Sequence, residues 1–254
     1  GMSALAISLK QLGHIVCGSD VEENFFTTKG LEKHQIEVKY FNEKNITKEY
    51  IYVISSAYDK NNIEVAKVLQ EGYEYYYYHD FMKEFFKETI IGVSGTHGKT
   101  TTTLMLTNLM QDYPLTAVIG DGTGIGNIDY QYFIFESCEY QNHFLKFDYD
   151  YLIINNIDFD HPDFFSNLND VISSFKKAAS QTKYLIINGD DENCNKIDHN
   201  NKYTFGLSDN NFLSCRVLSS DNKGYLLKVF VEKQAFEYYL PSLGIHMVYN
   251  FLAA

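Results

Sequence analysis

Tryptophan is absent from the sequence, and cysteine is sparse and scattered: Cys17, Cys138, Cys194 and Cys215 form no CxxC pair. The spacing fits reduced thiols in a cytosolic protein better than a disulfide framework. No His/Cys cluster has ligand spacing, which argues against zinc. Positive charge is also scarce. The 21 Lys and Arg stand against 33 Asp and Glu, a formal charge of −12 with a pI near 5.0, which argues against a nucleic-acid surface. No stretch of about 18 apolar residues and no signal peptide is present, so the reading is a soluble, cytoplasmic protein without membrane insertion. None of these counts sets an oligomeric state.

Enough apolar sequence is present to build cores, at 45% of the 254 residues. The length suits about two domains of roughly 100–200 residues each. The informative stretch is TIIGVSGTHGKTTTT, residues 89–103. Residues 90–93 read as a buried strand, residues 94–98 as a turn with two glycines, and Lys99 opens a helix through about Met110. Strand, glycine turn and helix start form a grip for polyphosphate. Gly95 and Gly98 let backbone N–H groups of Thr96 and His97 approach phosphate oxygens, and the helix start at Thr100 and Thr101 adds unpaired donors and a favourable dipole. Lys99 can reach the terminal phosphates and the Thr100 hydroxyl can bind Mg²⁺. The strict P-loop pattern asks for glycine where Val93 stands, so the loop is the shorter G-T-H-G-K-T. The competing reading is a glycine turn with a solvated lysine.

GTHGKTTTT resembles the ATP loop of the Mur ligases, which attach amino acids to the peptidoglycan precursor. The loop wording IGDGTG (residues 119–124), FESCEYQNHFL (135–145) and NNIDFDHPDFF (155–165) resemble further segments of the family, closest to its alanine-adding members. The resemblance implies an ATP-dependent amide-forming ligase that joins L-alanine to UDP-N-acetylmuramate through an acyl phosphate. It implies Mg²⁺ at Thr100 and Glu136, a second Mg²⁺ at His161, and Asn156, Glu139 and His143 near the substrate. Lys99, Glu136 and His161 are then the catalytic set. His246 and Asn250, near the start of GIHMVYNFLAA (residues 244–254), fall on the family's adenine side. The family reads His-Asn where this chain has His246-Met247. Two alternatives stay open: a ligase that joins a preformed peptide to the same sugar nucleotide, and a non-catalytic nucleotide-binding module or partner subunit.

The rest of the chain reads as α/β. Residues 2–12 form a helix with Leu5, Leu9 and Leu12 on one face, and Gly13 closes it. Strands follow at 14–18, ended by Ser19-Asp20, then at 36–38, 50–55 and 73–78. Helices fall at 25–34 and at 63–70, the latter with Val65, Ala66 and Leu69 inward. This alternation argues a parallel, Rossmann-like sheet. Asp20, Ser55 and Ser56 lie at strand ends and would line a substrate crevice; for Asp20 a turn or cap role is an equal reading. Tyr75 to Tyr78 read as strand rather than as a stacking platform, because alternate tyrosines face opposite sides. Tyr78-His79-Asp80-Phe81 resembles a family segment that leads into the interdomain linker.

Beyond the phosphate loop, strands are expected at 115–119, at 132–135 ending in Glu136, at 151–155 and at 183–188, with a helix at 168–180 carrying Val171, Ile172, Phe175 and Ala179 inward. Residues 120–126 read as a flexible substrate-side loop. Asp190 and Asp191 read as a solvated turn rather than a metal site. Residues 212–240 read as antiparallel strands. By resemblance, residues 1–88 are an incomplete UDP-substrate-binding Rossmann-like domain, and residues 89–254 are the central P-loop-type ATP-binding domain with an antiparallel β extension. The family's first strand, its glycine-rich loop and its C-terminal domain fall outside the chain, so ligation by these 254 residues alone is not expected.

Overall fold

The computed structural model describes residues 1–22 and 27–254. The chain forms two compact units, Gly1–Glu88 with Pro114–Phe133, and Thr89–Tyr113 with Ile134–Ala254. The segment 114–133, read from sequence as part of the second half, therefore packs with the first.

In the first unit, α1 (Met2–Gln11) leads to β1 (Cys17–Asp20), α2 (Thr28–Lys33), β2 (Glu37–Tyr40), β3 (Tyr52–Ile54), α3 (Ile63–Glu71), β4 (Tyr75–Tyr77) and α4 (Tyr78–Phe85). Parallel pairing is present as expected, but in two small sheets, β1 with β2 and β3 with β4. The strands are shorter than the apolar runs suggest. His14, Ile15 and Val16 stay outside β1, and Ile15 is 88% exposed. Part of the helix read at 25–34 lies outside the described residues; α2 covers the rest. Tyr78-His79-Asp80-Phe81 forms the first turn of α4, with Phe81 and Met82 buried, and α4 runs to Phe85, just before the unit ends at Glu88.

Helix α3 is fixed at both ends. The Asn62 side chain accepts from the N–H groups of Glu64 and Val65, and Gly72 closes the helix at φ +68°. Its buried face carries Glu64, Val65 and Val68, whereas Ala66 and Leu69 face outward. The inward face is therefore rotated from the apolar pattern, because Glu64 is held inside by bonds from Asn42 N–H (3.0 Å) and Asn45 Nδ2 (2.7 Å).

The unit is completed by β6 (Leu115–Val118), which pairs antiparallel with β7 (Gly124–Ile125). The stretch 120–126, expected as a loop, thus carries a strand at Gly124–Ile125. A Cβ at Gly124 would overlap Ala4 O, and one at Gly126 would overlap Ser8 O. These glycines let β7 lie directly on α1, where Gly126 N–H donates to Gln11 Oε1 at 2.7 Å. Ser8 Oγ, fully buried, reaches Ala117 O at 2.8 Å.

The second unit begins with β5 (Thr89–Ser94) and α5 (Lys99–Leu109) and continues through β8 (Tyr132–Glu136), β9 (Tyr149–Ile154), α6 (Leu168–Ser180), β10 (Thr182–Asn188), β11 (Lys202–Gly206), β12 (Leu213–Ser220), β13 (Tyr225–Val231), β14 (Gln234–Leu240) and α7 (Ile245–Ala253). Its strands run in the order β14-β13-β12-β11-β10-β9-β5-β8 within one large sheet. From β5 through β9, β10 and β11 to β12 the pairing is parallel; β12, β13 and β14 form the antiparallel extension read from sequence. Strand β11 was not expected, since KYTFG follows a polar run and shows no apolar stretch. Helix α6 buries Val171, Ile172, Phe175 and Ala179 as its 3.6-residue period demands. Among the described residues no helix is long and apolar enough to cross a membrane. Cys17 is exposed, Cys194 and Cys215 are buried, and all four cysteines are unbridged.

Candidate active site

Strand β5 delivers the loop. Its last four residues are buried, and the chain then turns at Gly95 (φ +129°) and Gly98 (φ +84°) into α5. Both conformations favour glycine, and space forbids a side chain as well. A Cβ at Gly98 would overlap the Asn250 side chain, and one at Gly95 would sit 3.1 Å from Asn155 and the Asn156 nitrogen.

The loop is clamped by the residues that follow β9. Thr96 N–H donates to Asn156 O (3.1 Å), and His97 N–H donates to Asn156 Oδ1 (2.8 Å). Asn156 Nδ2 in turn reaches His97 O (3.1 Å). The buried Asn155 donates to Thr102 Oγ1 (2.9 Å) and His97 O (3.3 Å). Thr96 Oγ1 accepts from Asp158 N–H at 2.8 Å. The N–H groups of Thr96 and His97 are therefore spent inside the protein. The donors left for an anion are those of the first turn of α5, at Lys99, Thr100 and Thr101, which have no intrahelical acceptor; the first α-type bond is Thr102 N–H to Gly98 O (2.9 Å).

Strands β8 and β9 flank β5 in the sheet, so their ends open beside this loop, the place where α/β sheets bind ligands. Glu136 ends β8, and Thr100 Oγ1 donates to its Oε2 at 3.0 Å. Lys99 Nζ lies 3.1 Å from Glu139 Oε2 and 2.5 Å from Gly95 O. The Glu139 side chain is almost fully buried. His161 Nε2 is 3.8 Å from Glu139 Oε1, and the ring packs 4.7 Å from that of Tyr140. The His161 backbone is left-handed (φ +54°), a strained state for a residue with a side chain. The structure thus brings Lys99, Thr100, Glu136, Glu139 and His161 together. Among the described residues no group of three or more His, Cys, Asp and Glu could hold a metal. The Thr100 hydroxyl and Glu136 carboxylate nonetheless form a hard-oxygen pair, and Mg²⁺ takes few protein ligands.

Other expected residues sit differently. Asn250 is 6% exposed and lies against Gly98, so it supports the loop from below. His246, one turn earlier, is exposed and packs by Gly244. His143 lies in a 3₁₀ turn, Tyr140–Lys146, that packs on α6. Asn156 clamps the loop. In the first unit, Asp20 Oδ1 accepts from Val21 N–H (2.9 Å) and Tyr58 OH (3.3 Å). Ser55 Oγ accepts from Ala57 N–H (3.3 Å), while Ser56 is exposed in the same turn. Sequence reasoning missed Asn155 and Tyr58. It counts Asp158 among the carboxylates beside the phosphate loop, whereas the contact with the loop is made by the Asp158 N–H, to Thr96 Oγ1. The polar run NNID directly after an apolar strand was the available signal for Asn155. Tyr58 carried none.

One further node ties α7 to β10. Asp190 Oδ2 accepts from Leu207 N–H (2.6 Å) and Tyr249 OH (3.0 Å), and Oδ1 from Asn211 Nδ2 (2.9 Å). Burial alone would raise the Asp190 carboxyl, but these bonds outweigh it and hold it below the ordinary carboxylate range. Burial, then the Asp190 carboxylate, pushes Tyr249 up to about 12. The Asp190 turn is therefore structural rather than solvated.

The chain is 44% identical over 256 aligned positions to a UDP-N-acetylmuramate--L-alanine ligase of Streptococcus suis, covering 98% of this chain and 58% of that protein's length. It shares its fold with the UDP-N-acetylmuramate-alanine ligase of Thermotoga maritima (TM-score 0.82, 24% identity, 100% of this chain and 61% of that one). It is similarly close to the UDP-N-acetylmuramate:L-alanyl-gamma-D-glutamyl-meso-diaminopimelate ligase of Neisseria meningitides (TM-score 0.80, 21% identity, 99% and 87%). Residues 1–89 match the Mur ligase family catalytic domain and residues 93–254 the Mur ligase middle domain, and the chain belongs to the Mur ligase family.

Proposed function

We propose that the second unit carries the ATP-binding and phosphoryl-transfer centre of a cytoplasmic ligase that adds L-alanine to UDP-N-acetylmuramate, and that Asp20, Ser55 and Ser56 of the first unit contact the sugar nucleotide. The observation that carries the reading is the meeting of Lys99, Thr100 and Glu136 at the end of β5, with Thr100 Oγ1 and Glu136 Oε2 3.0 Å apart. Support for the substrates comes from the 44% identity to an alanine-adding relative.

The proposed reaction has two displacements. The lactyl carboxylate of the substrate attacks the γ-phosphorus of ATP, and ADP leaves. The amine of L-alanine then attacks the acyl carbon of the resulting acyl phosphate, and phosphate leaves. Such transfers need positioning and charge stabilisation more than covalent help from the protein. Lys99 and the open N–H groups of the α5 first turn supply positive potential where charge collects. Asn155, Asn156 and Asp158 hold the loop backbone in place, so the turn itself is already shaped when the phosphates enter. Mg²⁺, when bound, would neutralise phosphate charge; Thr100 and Glu136 are the residues that fit it, with His161 as the proposed second ligand set.

Calorimetry with Mg²⁺ and a non-hydrolysable ATP analogue tests this centre. The chain should bind the analogue, and Lys99→Ala should weaken binding by about a hundredfold, the scale of a lost charge-assisted contact. Unchanged affinity in Lys99→Ala would remove the phosphate-loop assignment.

A further inference from the structure

We propose that Glu139 is a positioning residue that latches Lys99 across the phosphate loop, so that an incoming polyphosphate must win the lysine from this carboxylate. The inference rests on the proposed nucleotide site and departs from the expectation that Glu139 touches the substrate.

The Lys99 ammonium is saturated as it stands. It has three N–H donors, and four oxygens lie within reach: Gly95 O at 2.5 Å, Thr96 O at 3.3 Å, and Glu139 Oε2 and Oε1 at 3.1 and 3.3 Å. Two of these are carbonyls of the loop itself, so the side chain is folded back onto the turn it would have to reach beyond. A phosphate oxygen can gain the ammonium only by displacing one of these partners.

Glu139 makes that exchange costly. Its side chain is 2% exposed, and its cationic partner is Lys99, with the His161 ring 3.8 Å away. Taking Lys99 away leaves a buried carboxylate without that partner. Breaking one side of a buried pair is much more expensive than never having formed it. The pair therefore opposes nucleotide binding. Glu139 sits three residues after Glu136, at the start of the turn that leads into Tyr140–Lys146, so its place is set by the same strand end that presents Glu136 to Thr100.

The experiment uses Glu139→Gln, which keeps the shape and one acceptor oxygen but removes the charge. Metal-free ADP, measured by calorimetry, should bind Glu139→Gln about tenfold more tightly than the unmodified chain. Affinity that is equal or weaker overturns the latch. If the unmodified chain binds no ADP, the nucleotide reading itself fails and the latch falls with it; binding without the gain in Glu139→Gln sinks the latch alone. A stability cycle supplies a readout that a merely structural role would not move. Lys99→Met should lower the melting temperature by stranding Glu139, and Lys99→Met with Glu139→Gln should recover most of that loss. Losses that simply add in the double variant would show that Glu139 does not act through Lys99.

Discussion

Strands β5 and β9 of the second unit have their last three residues or more fully buried, whereas β2 of the first unit is exposed at all four of its residues. The two units thus spend their sequence differently. In the second, apolar runs are strand interiors, and the polar residues that follow them are strand-end groups aimed at one another: Glu136 at Thr100, Asn155 and Asn156 at the loop. In the first, short two-stranded sheets are held by side-chain bonds, as where Asn45 Nδ2 links to both Tyr40 O (2.9 Å) and Glu64 (2.7 Å). Burial of backbone between layers makes position exact in the second unit. Hydrogen bonds to a buried carboxylate do that work in the first.

Glycine substitution should widen this contrast most. Gly98→Val in the loop meets a left-handed backbone and the Asn250 and Asn155 side chains, and should cost about 3 kcal/mol or more from strain plus overpacking. Binding of an ATP analogue should be lost with it. Gly18→Ala in β1 meets nothing within 4 Å and should stay within about 0.5 kcal/mol of the parent. Denaturant titration of both variants checks the pair. Equal losses would mean that the two glycines serve the same end.

The same contrast decides what could be read from sequence. The phosphate loop, α5, α6 and the antiparallel extension were legible because each has a long run of one period: four apolar residues before GTHGK, a clean 3.6-residue stripe in LNDVISSFKKAAS, and paired alternating strands around SDNKG. Strand limits in the first unit were not. Isoleucine and tyrosine at Ile15, Tyr50 and Ile51 look like strand interior but lie outside β1 and β3, and are 88%, 40% and 55% exposed. The face of α3 was misread because a glutamate is buried there while Leu69 is not. Within the site, identities were legible and connections were not. Nothing in NNIDFDH tells a reader that Asn156 clamps the loop while Asn155 reaches Thr102, because both depend on how β9 registers against β5, with Ile154 beside Ser94.

Removing the carboxylate that organises the first unit gives a smaller effect. Glu64→Ala would strand the Asn42 N–H and leave Asn45 Nδ2 without its shortest bond, and should cost about 1–3 kcal/mol. Hydrogen exchange should show the loss as faster opening of amides in β2 and α3, with the amides of β5 and β9 unchanged. Uniform acceleration across both units would contradict the separate means of support argued for them.

The smallest effect belongs to a side-chain node of the second unit, where Tyr249 on α7 donates to Asp190 at 3.0 Å. Tyr249→Phe removes the hydroxyl and should lower stability by about 1 kcal/mol near neutral pH. The pH dependence separates this bond from simple packing. Tyr249 is raised from 10.0 to about 12 in the folded chain, so the neutral phenol is favoured by folding. That contribution is fully present below pH 10, and it is lost as pH rises toward 12, where the unfolded chain ionises its tyrosine first. The phenylalanine variant lacks the titration. Its deficit relative to the parent should therefore be constant from pH 7 to 9 and should shrink between pH 10 and 12. Other tyrosines ionise in the same range, but they are common to both proteins and cancel in the difference. Guanidinium titrations of the two proteins at pH 8 and pH 11.5 measure it. A deficit that is unchanged at the higher pH would mean that Tyr249 stabilises α7 through its ring alone, and that the second unit, at this helix too, is held by packing rather than by a carboxylate.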